Sequence, residues 1–366
     1  MVSYRSIYSD AEGKIVAGGD GVAGKAPTMA DVAARAGVSR ALVSTVFRGV
    51  PGASPATRQR VLDAAAELGY QVDNRARLLR SSRTRLVGVV FRVQDAFHAE
   101  LVEALYKAAA TSDYDVVLSG TTAERSELTA AEPLLNDRCE ALVLVSPQMS
   151  EAELGALGER APTIVLARRA RSAAVDVVMT ADLEVVRTAL DHLVSLGHRD
   201  IAHLDGGSIH GATDRRRGYR TLMRRWGLTQ HIKTYAGGNT EADGMRAAEL
   251  VAAEAHPPTA VVAFNDRSAI GLIFGLRRAG LSVPGDISII GYDDIPMATL
   301  PFVDLTTVGQ DATATAQQAF EDISGRLDGN ASAGTQGLVS PYLAVRSTTA
   351  APTTSAPSQR VSGAAG

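Results

Sequence analysis

The sequence contains almost no cysteine: Cys139 is the only one among 366 residues. A single cysteine excludes a disulfide framework and a cysteine-based zinc site, and it agrees with a reducing compartment. No apolar run approaches the roughly 20 residues that a membrane-spanning helix needs, and residues 1–25 lack the apolar core of a signal peptide. We therefore expect a cytoplasmic protein with no membrane partner.

The sequence also lacks the short motifs of common enzyme classes. It has no G-x-S-x-G nucleophile motif and no complete G-x-x-x-x-G-K-[ST] phosphate-binding loop. Four histidines are close in sequence, but intervals of five to seven residues across a predicted strand and its loops do not match metal ligands; they are His192, His198, His203 and His210. We predict a protein that is not an enzyme and that uses no metal or cofactor.

Charge is distributed unevenly along the chain. The whole chain has a net charge of −3, but residues 28–85 hold ten basic and four acidic residues, a balance of +6. Residues 86–366 hold 24 basic and 33 acidic residues, a balance of −9. A basic segment attached to an acidic body indicates a nucleic-acid-binding module joined to a domain with another role.

Residues 28–72 have the pattern of three short helices. Thr28 is placed to cap the first helix, Gly37 to end it, and Ser39 to cap the second helix after a tight turn. Ser54 caps a third helix that has Pro55 at its first position. The predicted buried positions of the second and third helices are Leu42, Val43, Val46, Phe47, Val61, Leu62, Ala65 and Leu68. Two short helices joined by a glycine-containing turn indicate a helix-turn-helix.

The second helix would then be the recognition helix, with its first residues facing base edges in the major groove. Arg40 is placed for the bidentate guanine contact that arginine favours, whereas Arg58 suits a phosphate contact. The predicted DNA-binding residues of this segment are Thr28, Ser39, Arg40, Ala41, Ser44, Thr45, Arg48 and Arg58. The alternative is a three-helix bundle with no special role, and the basic surplus argues against it.

The segments TMADVAARAGVSRALVSTVFRG (28–49) and SPATRQRVLDAAAELGY (54–70) resemble the DNA-binding headpiece of the lactose-repressor (LacI/GalR) family of bacterial transcriptional regulators. The resemblance implies that residues 73–85 form a hinge helix on operator DNA, with Ala76 facing a dimer partner and Leu79 wedged into the minor groove. The alternative is a solvated basic linker. Val72-Asp73 replaces the family's usual Pro-Asn, and Ser44-Thr45 replaces its common Ser-Arg.

From Leu86 onward, buried-looking strands alternate with helices, which predicts parallel α/β sheets in two subdomains. The predicted strands are 86–91, 115–120, 141–146, 163–168, 201–206, 260–264 and 287–292. The motifs SLGHRDIAHL (195–204), FND (264–266) and VPGDISIIGYDDI (283–295) extend the resemblance to the family's effector-binding core, whose fold is similar to that of periplasmic sugar-binding proteins. The expected fold is an all-α helix-turn-helix headpiece followed by an α/β core of two parallel-sheet subdomains.

The predicted domain boundaries follow from these patterns. They are a disordered extension at 1–27, the headpiece at 28–72, the hinge at 73–85, the core at 86–349 and a disordered tail at 350–366. One subdomain is expected to hold 86–182 with 310–337, and the other 183–309 with 338–349. In open α/β sheets ligands bind beyond the carboxyl ends of the strands, so we expect the effector site between the two subdomains.

The resemblance implies that Arg215 clamps hydroxyl groups of the ligand and that Asp266 accepts hydrogen bonds from them. The alternative for this pair is a salt bridge across the cleft. Arg92 and Arg168 follow two strands, and our hypothesis is that both face the pocket and bind an anionic sugar derivative. They would otherwise pair with local acids such as Asp95 or Asp176.

Two further side chains near the pocket have open roles. Phe97 would either stack on a sugar ring or pack into the core. Asp182 opens a helix after a strand, and we favour a helix cap for it over a ligand contact.

Together these patterns predict a transcriptional regulator, most simply a repressor. A homodimer would bind a nearly palindromic double-stranded operator in the nucleoid, and a small-molecule effector of the carbohydrate class would shift the subdomains and change operator affinity. The tail lacks leucine heptads, so a tetramer built on a C-terminal leucine zipper is not expected. The competing hypotheses are a solute-binding transport protein, which leaves the basic headpiece unexplained, and an enzyme, for which no catalytic constellation is found.

Overall fold

A computed structural model describes residues 8–9, 15–16, 27–47, 51–70 and 83–353. The chain divides into two compact units, residues 1–82 and 83–366. Near the start of the chain, β1 (Tyr8–Ser9) pairs antiparallel with β2 (Ile15–Val16). Most of the predicted extension 1–27 and the hinge positions 73–82 lie outside the described residues. Within the described ranges, no helix has the length and apolar character that crossing a membrane requires.

The first unit contains three helices, α1 (Met29–Ala36), α2 (Arg40–Phe47) and α3 (Pro55–Glu67). Thr28 and Asp31 form a reciprocal capping box at the start of α1, and Gly37 ends that helix in the left-handed conformation with φ 65°. Ser54 caps α3, whose first residue is proline. The helices of the predicted helix-turn-helix therefore begin and end at the predicted cap residues.

The core of this unit is small and rich in alanine, which lets the three helices approach closely. Its fully buried members are Val32, Ala33, Ala36, Val43, Val46, Val61, Ala64 and Ala65. Two predicted core positions are wrong: Leu62 is 42% exposed, and Leu42 is only half-buried and outside the core. Each leucine is the neighbour of a buried valine, Val43 for Leu42 and Val61 for Leu62. Successive residues of a helix are rotated by about 100°, so a residue next to an inward-facing valine is turned away from the core.

The second unit has two six-stranded sheets. In the first lobe the strand order is β13-β7-β6-β5-β3-β4 and all neighbours are parallel. Its strands are β3 (Leu86–Arg92), β4 (Asp115–Thr121), β5 (Ala141–Val145), β6 (Thr163–Leu166), β7 (Asp176–Thr180) and β13 (Gln336–Val339). β13 extends two residues beyond the predicted boundary at 337, because its register with β7 runs from Gln336↔Val177 to Val339↔Thr180.

The second lobe has the order β14-β12-β11-β10-β8-β9, parallel except for the antiparallel edge strand β14. Its strands are β8 (Ile201–Leu204), β9 (Lys233–Tyr235), β10 (Ala260–Val262), β11 (Ser288–Asp293), β12 (Thr307–Gly309) and β14 (Tyr342–Ala344). The chain passes between the lobes after β7, after β12 and after β13.

Helices cover both faces of each sheet and bury its apolar strands. In the first lobe they are α4 (Ala96–Thr111), α5 (Glu127–Asn136), α6 (Glu151–Arg160) and, after the second crossing, α11 (Ala312–Leu327). In the second lobe they are α7 (Asp182–Ser195), α8 (Ala212–Arg225), α9 (Glu241–Ala252) and α10 (Asp266–Arg278).

The end of the core packs against the second lobe, which corrects the predicted start of the tail at residue 350. The carbonyl oxygen of Ala350 accepts hydrogen bonds from His198 Nε2 at 2.8 Å and from Ser288 Oγ at 3.1 Å. The amide of Ala350 donates to Ser288 Oγ at 3.0 Å. The ordered core therefore reaches at least Thr353, the last residue that the structure describes.

Helices α9 and α10 pack so closely that glycine is required between them. A Cβ atom on Gly271 would lie 2.0 Å from the carbonyl oxygen of Glu241, and one on Gly244 would lie 2.0 Å from that of Ser268. We expect Gly271→Ala to lower the free energy of unfolding by about 1–3 kcal/mol, because the helices must separate. Urea unfolding measures the change.

The control is Gly325→Ala on α11, where the nearest atom to a new Cβ would be Ala331 Cβ at 3.3 Å. That variant should be neutral or stabilised by up to about 1 kcal/mol, since alanine is the better helix former. Equal urea midpoints for Gly271→Ala and Gly325→Ala would contradict the close packing of α9 on α10.

Candidate functional site

The exposed face of α2 has the predicted recognition residues at its amino end. Ser39 Oγ accepts a hydrogen bond from the amide of Leu42 at 3.2 Å and so caps the helix. Arg40 and Ala41 are exposed and turned away from the buried Val43. No hydrogen bond or ion pair holds the Arg40 side chain within the described part of the headpiece. Its guanidinium group is therefore available to a ligand such as a base edge.

Three other predicted DNA-binding residues hold the headpiece itself together. Thr28 forms the capping box of α1, and Thr45 Oγ1 donates to the carbonyl of Ala41 at 3.1 Å. Arg58 Nη1 donates to the carbonyl of Val46 at 3.1 Å, which ties α3 to the end of α2. Ser44 is half-buried on α2. Arg48, Ala76 and Leu79 lie outside the described residues, and their roles stay predictions.

In the second unit, carboxyl ends of strands from both lobes meet at a small cavity of about 70 Å³. The first lobe contributes the residues that follow β6 and the end of β7, and the second contributes the loop before α8 and the end of β11. The cavity is lined by Ala167, Arg168, Arg169, Met179, Thr180, Asp182, His210, Gly211, Asp214 and Tyr292. This is the arrangement expected for a ligand site in a two-lobed α/β protein.

Arg215, in the first turn of α8, contacts two residues that line this cavity, Asp182 and Tyr292, and its side chain is only 12% exposed. Its Nε donates to Asp182 Oδ1 at 3.0 Å, and its Nη1 donates to the carbonyl of Phe264 at 2.7 Å. The guanidinium carbon lies 3.8 Å from the ring centre of Tyr292. Burial opposes the charge, but the oxygens of Tyr292 and Asp182 raise the pKa of Arg215 above its ordinary value.

Asp182 therefore has a different role from the predicted helix cap. Ala181 precedes α7 without a side-chain capping bond, and the carboxylate of Asp182 pairs with Arg215 instead. The salt bridge considered as the alternative role for Arg215 exists, but its partner is Asp182 rather than Asp266.

The predicted role of Asp266 as an acceptor for ligand hydroxyls is wrong. Asp266 is fully buried, its Oδ1 accepts from Thr307 Oγ1 at 2.6 Å, and its Oδ2 accepts from the amide of Ile295 at 2.9 Å. Burial raises the pKa of Asp266 to about 7, against the opposing effect of these two hydrogen bonds. Asp266 is the first residue of α10, and these bonds tie its side chain to β12 and to the segment that follows β11.

A second acid of the second lobe, Asp293, lies at the end of a strand. It is the last residue of β11, is half-buried, and has a φ of 116° in the region that favours glycine. Backbone strain of this kind costs about 1–3 kcal/mol and is concentrated at functional sites. Gln310 follows β12, and its Nε2 donates to Asp293 Oδ1 at 2.9 Å. Burial raises the pKa of Asp293 well above its ordinary value, although the nearby Arg215 lowers it.

Arg168 lines the cavity, but its guanidinium group is bonded within its own lobe. Nη1 donates to the carbonyls of Pro147 at 2.6 Å and Met149 at 2.9 Å, and Nη2 pairs with Glu151 at 3.2 Å. The hypothesis that it binds an anion is therefore not supported. Arg168 pairs with a local acid, as in the alternative prediction, but the acid is Glu151 and not Asp95 or Asp176. Asp176 pairs with Arg326 instead.

Phe97 is 7% exposed and packs into the first-lobe core beside Leu101, so of its two open roles it has the packing role. Arg92 is half-buried and lines a larger cavity of about 510 Å³ in the first lobe, beyond the ends of β3, β4 and β5. In the portion of the chain that is described, no group bonds the Arg92 side chain. Arg125 in the same cavity donates to Gly120 and Ser119.

The comparisons with known proteins agree with this geometry. The family model "Bacterial regulatory proteins, lacI family" matches residues 28–73, and the model "Periplasmic binding protein-like domain" matches residues 190–349. The HTH-type transcriptional regulator GalR of Escherichia coli (strain K12) is 34% identical over 304 residues, which cover 80% of this chain and 87% of GalR. The chain belongs to the lacI family of bacterial transcriptional regulators.

Solved structures of lacI-family proteins are similar to this chain in both fold and sequence. A LacI transcriptional regulator from a Rhodococcus species is 41% identical with a TM-score of 0.71, covering 73% of this chain and 99% of that one. The lac repressor dimer bound to operator and the anti-inducer ONPF is 27% identical with a TM-score of 0.77, covering 89% of this chain and 100% of that one.

Membership of the lacI family confirms the predicted resemblance, the helix-turn-helix headpiece and the two-lobed parallel-sheet core. It also agrees with the expectation that the chain is not an enzyme, because its relatives are DNA-binding transcriptional regulators. Among the described residues, no group of three or more histidine, cysteine, aspartate or glutamate side chains could hold a metal ion.

Proposed function

We propose that this lacI-family regulator is a repressor whose homodimer binds an operator through α2 and whose operator affinity is set by a sugar-type effector in the cleft. The observation that carries the proposal is that Arg215, in the first turn of α8, packs on Tyr292 next to Asp293 at the end of β11, and that Tyr292 lines the cavity between the lobes. A carboxyl group in strained backbone and a guanidinium group close to it are groups that can bind the hydroxyls of a polyhydroxylated ring.

A dimer is supported by apolar side chains that the single chain leaves exposed on both lobes. They are Tyr106 and Leu118 on the first lobe, and Phe274, Met297, Leu300 and Phe302 on the second. Clusters of exposed apolar residues on a soluble protein mark interaction surfaces. A two-fold dimer would present two copies of α2, which supports recognition of a palindromic site.

Whether the site can bind an anionic effector depends on a cationic side chain with free donors. The guanidinium group of Arg168 is bonded within its own lobe, whereas Arg92 lines the larger cavity and Arg169 is exposed at the smaller one, so these two arginines are the candidates for binding a phosphate or carboxylate group. The cavity that Arg92 lines, about 510 Å³, lies in the size range of small-ligand pockets. We therefore propose a sugar that binds at Asp293, with any anionic group bound at Arg92.

A titration separates these contributions. Neutral sugars and sugar phosphates are added to the complex of the full chain with its operator fragment, and release is followed by fluorescence anisotropy. For the ligand that changes operator affinity, Asp293→Asn should weaken ligand binding at least tenfold, about 1.4 kcal/mol, because an amide nitrogen replaces a carboxyl oxygen that accepts hydrogen bonds. The control Asp191→Asn, on the exposed face of α7, should have no effect.

Arg92→Gln distinguishes the two ligand classes in the same titration. It should weaken binding of a sugar phosphate and leave a neutral sugar unchanged. An unchanged ligand response in Asp293→Asn would contradict the placement of the effector at the end of β11.

Arg40 is expected to read the operator sequence. Arg40→Gln should cost about 1–3 kcal/mol of specific binding and relax the preference at one base pair of each half-site. Arg60→Gln, an exposed arginine on α3, should weaken binding to all sequences alike and lower the salt dependence by about one charge. Electrophoretic mobility shifts on the operator and its single-base variants measure both. Equal effects of the two substitutions on every DNA would show that Arg40 contacts only phosphate.

A solute-binding transport protein would share the two-lobed core and its cleft. It would have no use for a capped helix-turn-helix with an unbonded Arg40, and it would bind the sugar without any change in DNA binding. The operator titration therefore also separates the two functions.

A further inference from the structure

We propose that Glu140 is a positioning residue for DNA binding: it fixes the first residues of the core, from which the DNA-binding unit is connected, before any DNA is bound. This inference rests on the proposed operator-binding function. The second compact unit begins at Arg83, so residues 83–85 are the root from which the chain leads back to the headpiece.

Glu140 precedes β5 at the amino end of the first-lobe sheet, and its side chain is 12% exposed. Its Oε1 accepts the amides of both Thr84 and Arg85, the second at 3.0 Å. Its Oε2 accepts from Arg83 Nε at 3.1 Å and pairs with Arg83 Nη2 at 3.0 Å. One carboxylate therefore holds three consecutive residues of the root.

Arg83 extends this arrangement to two other elements of the lobe. Its Nη2 donates to Tyr114 Oη at 2.6 Å, just before β4. Its Nη1 pairs at 3.3 Å with Asp328, the residue that ends α11. The other end of α11 is capped by Asp311, beside Gln310, whose amide bonds Asp293 at the end of β11. A single helix of 16 residues thus runs from the effector site to the root.

Bonding of this kind does more than an exposed ion pair would. Burial alone would raise the pKa of Glu140, but the amide of Arg85 and the side chain of Arg83 hold it below the ordinary glutamate value. The carboxylate therefore stays charged and bonded at neutral pH. Ordering a residue on binding has an entropic cost, and the free protein has already ordered these three residues.

Glu140→Gln tests the inference because its two effects change operator affinity in opposite directions. The loss of a negative charge should tighten operator binding, whereas the loss of order in residues 83–85 should weaken it. Glu132→Gln on α5 also removes a negative charge and should tighten binding to DNA slightly; Glu132 is exposed and pairs with Arg160. If Glu140 orders the root, Glu140→Gln should instead weaken operator binding at least tenfold. The slope of log affinity against log salt should stay unchanged, since no phosphate contact is lost.

Hydrogen exchange supplies the second readout in the same full-length protein. The amides of Thr84 and Arg85 should exchange at least tenfold faster in Glu140→Gln than in the wild type, whereas amides within β5 should not change. Operator affinity equal to or tighter than that of Glu132→Gln, or unchanged exchange at residues 84 and 85, would overturn the inference.

Asp328→Asn keeps the test decisive if Glu140→Gln does not fold, because Asp328 is 56% exposed and its loss leaves the carboxylate of Glu140 in place. It should weaken operator binding in the same direction by a smaller factor, and no weakening would contradict the inference. A wild-type protein that binds no operator would instead refute the proposed function, so the two failures are distinguishable.

Discussion

Replacing Arg215 by alanine is expected to lower the free energy of unfolding by about 3–5 kcal/mol, because it leaves the carboxylate of Asp182 unpaired in a partly buried site. The loss includes the hydrogen bond to the carbonyl of Phe264 and the contact with the ring of Tyr292. The side chains of Arg215 and Asp182 are each 12% exposed, so solvent screening offsets little of this cost. Urea unfolding with a constant m-value measures the change.

Arg187→Ala is the matched control, since Arg187 pairs with Glu184 on the surface of α7 and is 40% exposed. It should change the free energy of unfolding by less than about 0.5 kcal/mol. The double variant Arg215→Met with Asp182→Leu should be more stable than Arg215→Ala, because no charge is then left without its partner. A loss below about 1 kcal/mol for Arg215→Ala would show that water reaches Asp182 freely.

Acid should destabilise the core through His203, a buried residue of β8 in the second lobe. His203 is 1% exposed, Nδ1 bonds the carbonyl of Val262 at 3.0 Å, and burial lowers its pKa to about 4. In the unfolded chain its pKa is about 6.5. The unfolded state therefore binds the extra proton, so this stability is complete above about pH 6.5 and is lost as the pH falls towards 4.

The expected loss from this one group is about 3 kcal/mol across that pH window. His203→Gln should remove one proton from the pH dependence of unfolding, whatever it does to the absolute stability. His256→Gln, at an exposed position, is the matched control for the histidine-to-glutamine exchange. Parallel curves of unfolding free energy against pH for the wild type and His203→Gln would contradict a neutral buried His203.

Much of the fold was predictable from the sequence because local signals and burial agree. Thr28, Gly37 and Ser54 are cap residues whose short-range bonds are the same in any context. The long apolar strands β3 and β5 are buried on both faces and appear as continuous apolar runs. Short edge strands such as β9 and β14 were missed, because three residues with partial exposure leave no such run.

The site was predicted less well, because the direction of a side chain depends on tertiary packing. Asp266 and Asp293 both lie near the carboxyl ends of strands in the second lobe. Asp266 begins a helix and is fully buried, whereas Asp293 is the last residue of β11 and has strained backbone. No local pattern distinguishes them. Arg168 had the expected position, but the carbonyls of Pro147 and Met149 that occupy it come from a loop about twenty residues away.

Selection of DNA from a random pool by the full-length protein tests the central claim most directly. The proposed homodimer, with Arg40 exposed at the start of α2, predicts a single enriched sequence with two-fold symmetric half-sites, whose binding weakens steeply as salt rises. Enrichment of an asymmetric sequence, or no enrichment above the starting pool, would contradict a dimeric operator-binding regulator.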